Sequence, residues 1–155
     1  MHSVRPPTAH TAQALTPAER RLASVLRFFA VLFAIGALGF FIRPDGTVSD
    51  LNRIGALLGL GVLPPRDGAS ASDFWLVLAV ANMTTITACA WLAAQDIRAR
   101  QLLAYPLIVS KLTSSTCGLI LFLTRGQAFP YLVALLVDLP IALIVWRALH
   151  AARST

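Results

Sequence analysis

Apolar positions fall in four long blocks, at about 22–42, 74–94, 102–124 and 129–146, with the polar residues gathered between them. Each block is about as long as a helix needs to cross a hydrocarbon core of roughly 30 Å. Within the blocks the apolar residues do not follow the i, i+3, i+4 spacing of a surface helix, so lipid is the expected solvent on their outer faces. The pattern predicts an all-α integral membrane four-helix bundle. Residues 16–148 form the transmembrane domain, 1–15 a disordered N-terminal tail rich in Thr, Ala and Pro, and 149–155 a C-terminal tail.

Local signals mark the ends of the blocks. Thr16-Pro17-Ala18-Glu19 reads as a helix start, with Thr16 as N-cap, Pro17 in the first helical position and Glu19 completing a capping box. The first block is longer than the core of a secretory leader and ends in Phe40-Phe41-Ile42-Arg43-Pro44 without a small-residue cleavage site. An anchor is expected. Pro44-Asp45-Gly46 reads as a turn. Residues 49–61 then form a short amphipathic helix in the first extracytoplasmic loop, capped by Ser49 and stopped by Pro64-Pro65. Leu51, Ile54, Leu57 and Leu58 share one face of it, with Asn52 and Gly59 opposite. Ser70, Ser72 and Asp73 are capping candidates for the second span, 95–101 is a polar loop, and Arg125-Gly126 stops the third span. The later connections are short, so spans two, three and four are expected to be antiparallel neighbours.

Composition agrees with lipid as the solvent. Of 155 residues, 57% are hydrophobic and 13% charged, whereas a soluble domain carries about a quarter charged. The length suits one small domain. The net charge of +6 does not form a nucleic-acid patch, because the cations sit singly or in pairs at block ends. Arg5, Arg20, Arg21, Arg27, Arg98, Arg100, Arg147 and Arg153 fall on one side, and Arg43, Arg53, Arg66 and Arg125 on the other. That asymmetry places both termini in the cytoplasm. The preference for Arg over Lys, with abundant Ala and Leu, points to a GC-rich bacterial genome and hence a bacterial inner membrane. Cys89 and Cys117 differ in depth by on the order of 13 Å at the helical rise, too far for a disulfide, so free thiols are expected.

Two ionisable residues interrupt the blocks: Lys111 in span three and Asp138 in span four. A charge at mid-membrane costs about 2.5–3.5 kcal/mol on insertion scales, so each must face inward and find a partner. Measured from the terminal side, both lie about 12–13 Å deep. Opposite charges at matching depth on antiparallel helices predict an ion pair. Asn82, Thr84, Thr85 and Thr87 on span two and Ser114 and Ser115 on span three lie in the same half of the membrane. Together with the pair they are expected to form one hydrogen-bonded centre among spans two, three and four. Such a centre either fixes helix register or serves as a substrate, ion or proton site. The single Lys stands in a chain that otherwise uses Arg, as a site wanting a deprotonatable ammonium would require. Gly36, Gly39, Ser110, Ser114 and Gly118 are small residues suited to close helix packing. Pro140 falls inside span four and predicts a kink.

His2, His10 and His150 lie in tails or at a helix end, which leaves no embedded histidine to hold haem iron or a chlorophyll-type metal. The chain also has no CxxC, HExxH, GxSxG or Walker pattern and no cluster of carboxylates. No cofactor and no metal is expected, and an enzyme is the less favoured class. The layout, a long first connection with a helical segment followed by tightly joined spans two to four, resembles the DoxX-like group of small bacterial four-helix membrane proteins. The resemblance covers about 22–146, carries no motif and implies only a fold. The expected function is a structural or accessory membrane subunit, with the bilayer and other membrane subunits or further copies as partners. The alternative is a small transporter or proton-coupled carrier using the Lys–Asp pair. A membrane enzyme acting on lipid or quinone has only Asp138, Lys111 and Tyr131 as acid–base groups.

Overall fold

The computed structural model describes residues 14–63 and 69–154, and among them it is almost entirely helical, with one isolated backbone bridge. The expected tail at 1–15 falls almost wholly outside the described residues, as do Pro64 and Pro65. Four helical segments are long and apolar enough to cross a membrane, which makes this a multi-pass membrane protein by length and composition.

Helix α1, Pro17–Ile42, starts on the capping box that the sequence spells out. The Glu19 amide donates to Thr16 Oγ1 at 3.2 Å, and the Thr16 amide donates to Glu19 Oε2 at 2.7 Å. Helix α2, Pro44–Leu57, follows after a single residue, Arg43. Pro44-Asp45-Gly46 is therefore its first turn, with proline in the position that has no amide to lose, and Ser49 lies within the helix instead of capping it. It ends at Leu57, short of the expected 61, because Gly59 at φ +69° turns the chain away.

Helix α3, Ala69–Gln95, begins before Ser70, Ser72 and Asp73, which places all three inside it and not at its cap. The polar segment after it is not a loop. Asp96 accepts from the Ala99 amide at 3.1 Å and starts a further turn, α4, Ile97–Arg100. A 3₁₀ turn at Gln101–Leu103 leads into α5, Ala104–Thr124. Charge content hid this turn; a capping aspartate needs no apolar neighbours. Gly126 at φ +110° and Gln127 at φ 51° end α5, with the Gln127 amide donating to the Phe122 carbonyl at 3.0 Å. The last span is α6, Phe129–Val133, a π-helical turn at Ala134–Asp138, and α7, Leu139–Arg153. Residues 149–153, expected in the tail, continue α7.

The helices pack as a ring. α1 packs most extensively on α3, α5 on the last span, and α1 also touches α7, while α3 and α5 meet more sparingly despite their short connection. Leu22, Leu26, Ile86, Leu107, Val145 and Leu149 are fully buried, and one cluster joins all four spans. That cluster lies in the half of the molecule nearest the termini. Phe28, Ile35, Phe41, Leu123 and Trp146 point outward, as lipid-facing side chains should.

At the other end, α2 folds back over the start of α6. A Cβ built on Gly55 would lie 2.5 Å from Phe129 Cβ, and one on Gly61 would lie 2.8 Å from the Gly126 carbonyl. Only glycine allows this approach. Gly61 donates to the Gln127 carbonyl at 3.2 Å and accepts from the Phe129 amide at 3.1 Å. Asn52 clamps the same segment, donating to the Leu63 carbonyl and accepting from its amide, each at 2.9 Å. Ile54, Leu57 and Leu58 of α2 remain exposed.

Candidate functional site

The inward face of α5 reads Ala104, Leu107, Ile108, Lys111, Ser115 and Gly118, the three-and-four spacing of a buried stripe. Lys111 is 7% exposed. Its Nζ lies 3.0 Å from Asp138 Oδ1 on the neighbouring span. The Ser114 hydroxyl donates to the other carboxylate oxygen, Asp138 Oδ2. Ser115, also buried, donates to the Lys111 carbonyl at 2.7 Å. Both carboxylate oxygens are thus engaged, which offsets much of the cost of removing the pair from water.

A residue without a polar atom completes the site. Nζ of Lys111 stands 4.6 Å from the centre of the Phe33 ring, within range for attraction between a cation and an aromatic face. Phe33 is 3% exposed and stacks on Phe29 with ring centres 5.9 Å apart. The ammonium thus reaches across the ring of helices to α1, diagonal to its own helix. An aromatic residue inside an apolar block carries no distinguishing signal, so sequence reasoning had no means of choosing Phe33.

Asp138 is placed by backbone geometry. Pro140 has no amide to give the carbonyl one turn back, and before it the chain opens into the π-helical turn that ends on Asp138. That turn lies close against α5 because residue 118 is glycine. A Cβ there would meet the Tyr131 carbonyl at 2.7 Å and Ala134 Cβ at 2.9 Å.

The three-helix polar centre expected from sequence separates into parts. Asn82 of α3 donates to Ser110 Oγ at 3.1 Å, away from the ion pair. Ser110 precedes Lys111 by one residue, about 100° around the helix, so it faces a different neighbour. Thr84, Thr85 and Thr87 donate to the carbonyls of Val80, Ala81 and Met83 on their own helix. A helical threonine can satisfy itself four residues back and so requires no partner across the bundle. The glycines of α1 also differ from expectation. A Cβ on Gly36 would meet only the flexible end of Met83, at 3.0 Å, and one on Gly39 meets nothing within 4 Å among the described residues. Gly55 and Gly61 make the closer approaches.

A second ionic centre lies at the terminal end. Arg98 Nε donates to Glu19 Oε1 at 2.7 Å and its Nη2 to Glu19 Oε2 at 2.9 Å, while Nη2 also reaches the Ala14 carbonyl at 3.0 Å. The Arg98 hydrogen bonds, then the Thr16 amide, hold the Glu19 carboxyl down at about 2. Arg27 donates to the Ala94 carbonyl at 3.3 Å, and Arg153 donates to the Tyr105 hydroxyl at 2.7 Å. Cys89 and Cys117 are free thiols. Among the described residues no three of His, Cys, Asp or Glu gather as metal ligands.

Comparison with protein families, curated proteins and solved structures finds no match.

Proposed function

We propose that this protein is a non-catalytic subunit of a membrane assembly, in which Lys111 and Asp138 fix the register of the last two spans. The observation that carries this reading is the internal compensation of the pair. The carboxylate takes Lys111 and Ser114, and the ammonium takes Asp138 and the Phe33 face. Here the polar groups are committed to each other, as suits a pair that sets register. The preference for Arg over Lys supports a bacterial inner membrane location, and the distribution of Arg between the two sides supports both termini in the cytoplasm. It also puts α2 on the opposite surface, where exposed Ile54, Leu57 and Leu58 suit the headgroup boundary. The layout resembles DoxX-like proteins, from which no activity is carried over.

The test is the double substitution Lys111→Met with Asp138→Leu. Assembly and cellular phenotype should stay near wild type, and in mild detergent the chain should copurify in a stoichiometric larger complex. A double variant that folds yet loses a measurable cellular activity overturns the proposal.

One observation favours a second reading, a proton-coupled carrier: the π-helical turn ends on Asp138 itself, and such turns recur at functional sites. Proteoliposomes holding a pH-sensitive dye decide this. A proton flux present in wild type and absent in Asp138→Asn selects the carrier, and no flux in either selects the subunit.

A further inference from the structure

At the terminal end, α1 and α7 enclose a cleft of about 560 Å³, a size typical of ligand sites. Its walls are apolar, with Val25 from α1 and Ile144, Ala148 and Ala151 from α7. Arg21 and Arg147 line it as well, one from each helix. Both are exposed, and neither guanidinium has a hydrogen-bond or ion-pair partner among the described residues. Three other arginines at this end are committed within the protein, Arg98 to Glu19, Arg27 to the Ala94 carbonyl and Arg153 to Tyr105, and Arg20 and Arg100 do not line the cleft.

What sets Arg21 and Arg147 apart is that they face one cleft from two helices. Arg21 immediately precedes the first apolar block and Arg147 immediately follows the last. Both therefore stand at headgroup level, while Val25 and Ile144 lie deeper, beside the hydrocarbon. A ligand matching this cleft has an anion at the top and an apolar chain below. Guanidinium is the side chain best suited to phosphate oxygens, and basic pockets between membrane helices hold anionic head groups. We infer that the cleft between α1 and α7 seats one anionic phospholipid, its phosphodiester between Arg21 and Arg147 and an acyl chain along Val25 and Ile144. This inference does not depend on which role the Lys111–Asp138 pair serves.

The test counts lipid retained by the full chain in detergent, by native mass spectrometry, against phosphatidylglycerol and phosphatidylcholine. Wild type should keep one phosphatidylglycerol in preference to phosphatidylcholine. R21Q/R147Q should bind it roughly tenfold more weakly, whereas R20Q/R100Q, which removes equal charge outside the cleft, should leave it unchanged. I144W retains every charge and obstructs the acyl path at a half-exposed position, so it should also lose the lipid. Inorganic phosphate should not compete at equal concentration. The inference fails if the two lipids are kept equally, or if both arginine pairs have the same effect. It also fails if I144W binds normally, if phosphate displaces the lipid, or if the cleft variants disrupt an oligomer while lipid retention is unchanged.

Discussion

At the scale of single residues, the Lys111–Asp138 pair makes a sharp energetic prediction. Lys111→Met alone leaves an unpaired buried carboxylate, and Asp138→Leu alone an unpaired ammonium. Each single substitution should cost about 3 kcal/mol or more, while the two together should fall within about 1 kcal/mol of wild type. Unfolding by a denaturing detergent, followed by helicity, measures all three. The pair itself was legible in the chain: two charges, two apolar blocks and the rise per residue suffice to bring them to the same depth. Its surroundings were not. Phe33 looks like every other aromatic in its block, and Thr84, Thr85 and Thr87 look available until each is seen bonded to its own helix. Polar residue type announces a need for a hydrogen bond without saying where the need is met.

At the scale of elements, glycines that resemble one another in sequence divide by what lies opposite. Gly118→Ala would drive a methyl into the Tyr131 carbonyl and Ala134, so a loss of about 1–3 kcal/mol is expected from overpacking. Gly39→Ala meets nothing within 4 Å among the described residues and should be neutral or stabilising by about 0.5–1 kcal/mol through the better helix former. The same detergent titration compares the two. Asn52→Ala removes both bonds that hold the chain at Leu63, and hydrogen exchange at residues 58–63 should rise by about one to two orders of magnitude, as expected for roughly 1–3 kcal/mol. Hydropathy located the four spans because lipid imposes length. It misplaced the first connection and the 95–101 segment because capping and turn geometry, set by Pro44, Asp96 and Gly59, extend or end helices without regard to polarity.

At the scale of the whole molecule, the terminal end is fastened ionically and the opposite end by backbone contact. Glu19 of α1 meets Arg98 beyond α3, and its carboxyl sits at about 2 in place of the ordinary 4.5. A depressed folded-state value means the stabilisation is complete above 4.5 and is lost as pH falls through about 2. Thermal unfolding of the detergent-solubilised protein should therefore move to lower temperature across that interval, and Glu19→Gln should flatten the response within it. The opposite end has a different dependence. Gly61 bonds to Gln127 and Phe129, residues that follow it by two complete spans, so the α6 surface on which α2 closes is absent while the first half of the chain is being synthesised. The closure at Gly61 has to wait until the final span is made and supplies the backbone it joins. A chain truncated before Phe129 should then leave this segment open to protease, and the order of biogenesis, more than local propensity, decides when that end of the protein closes.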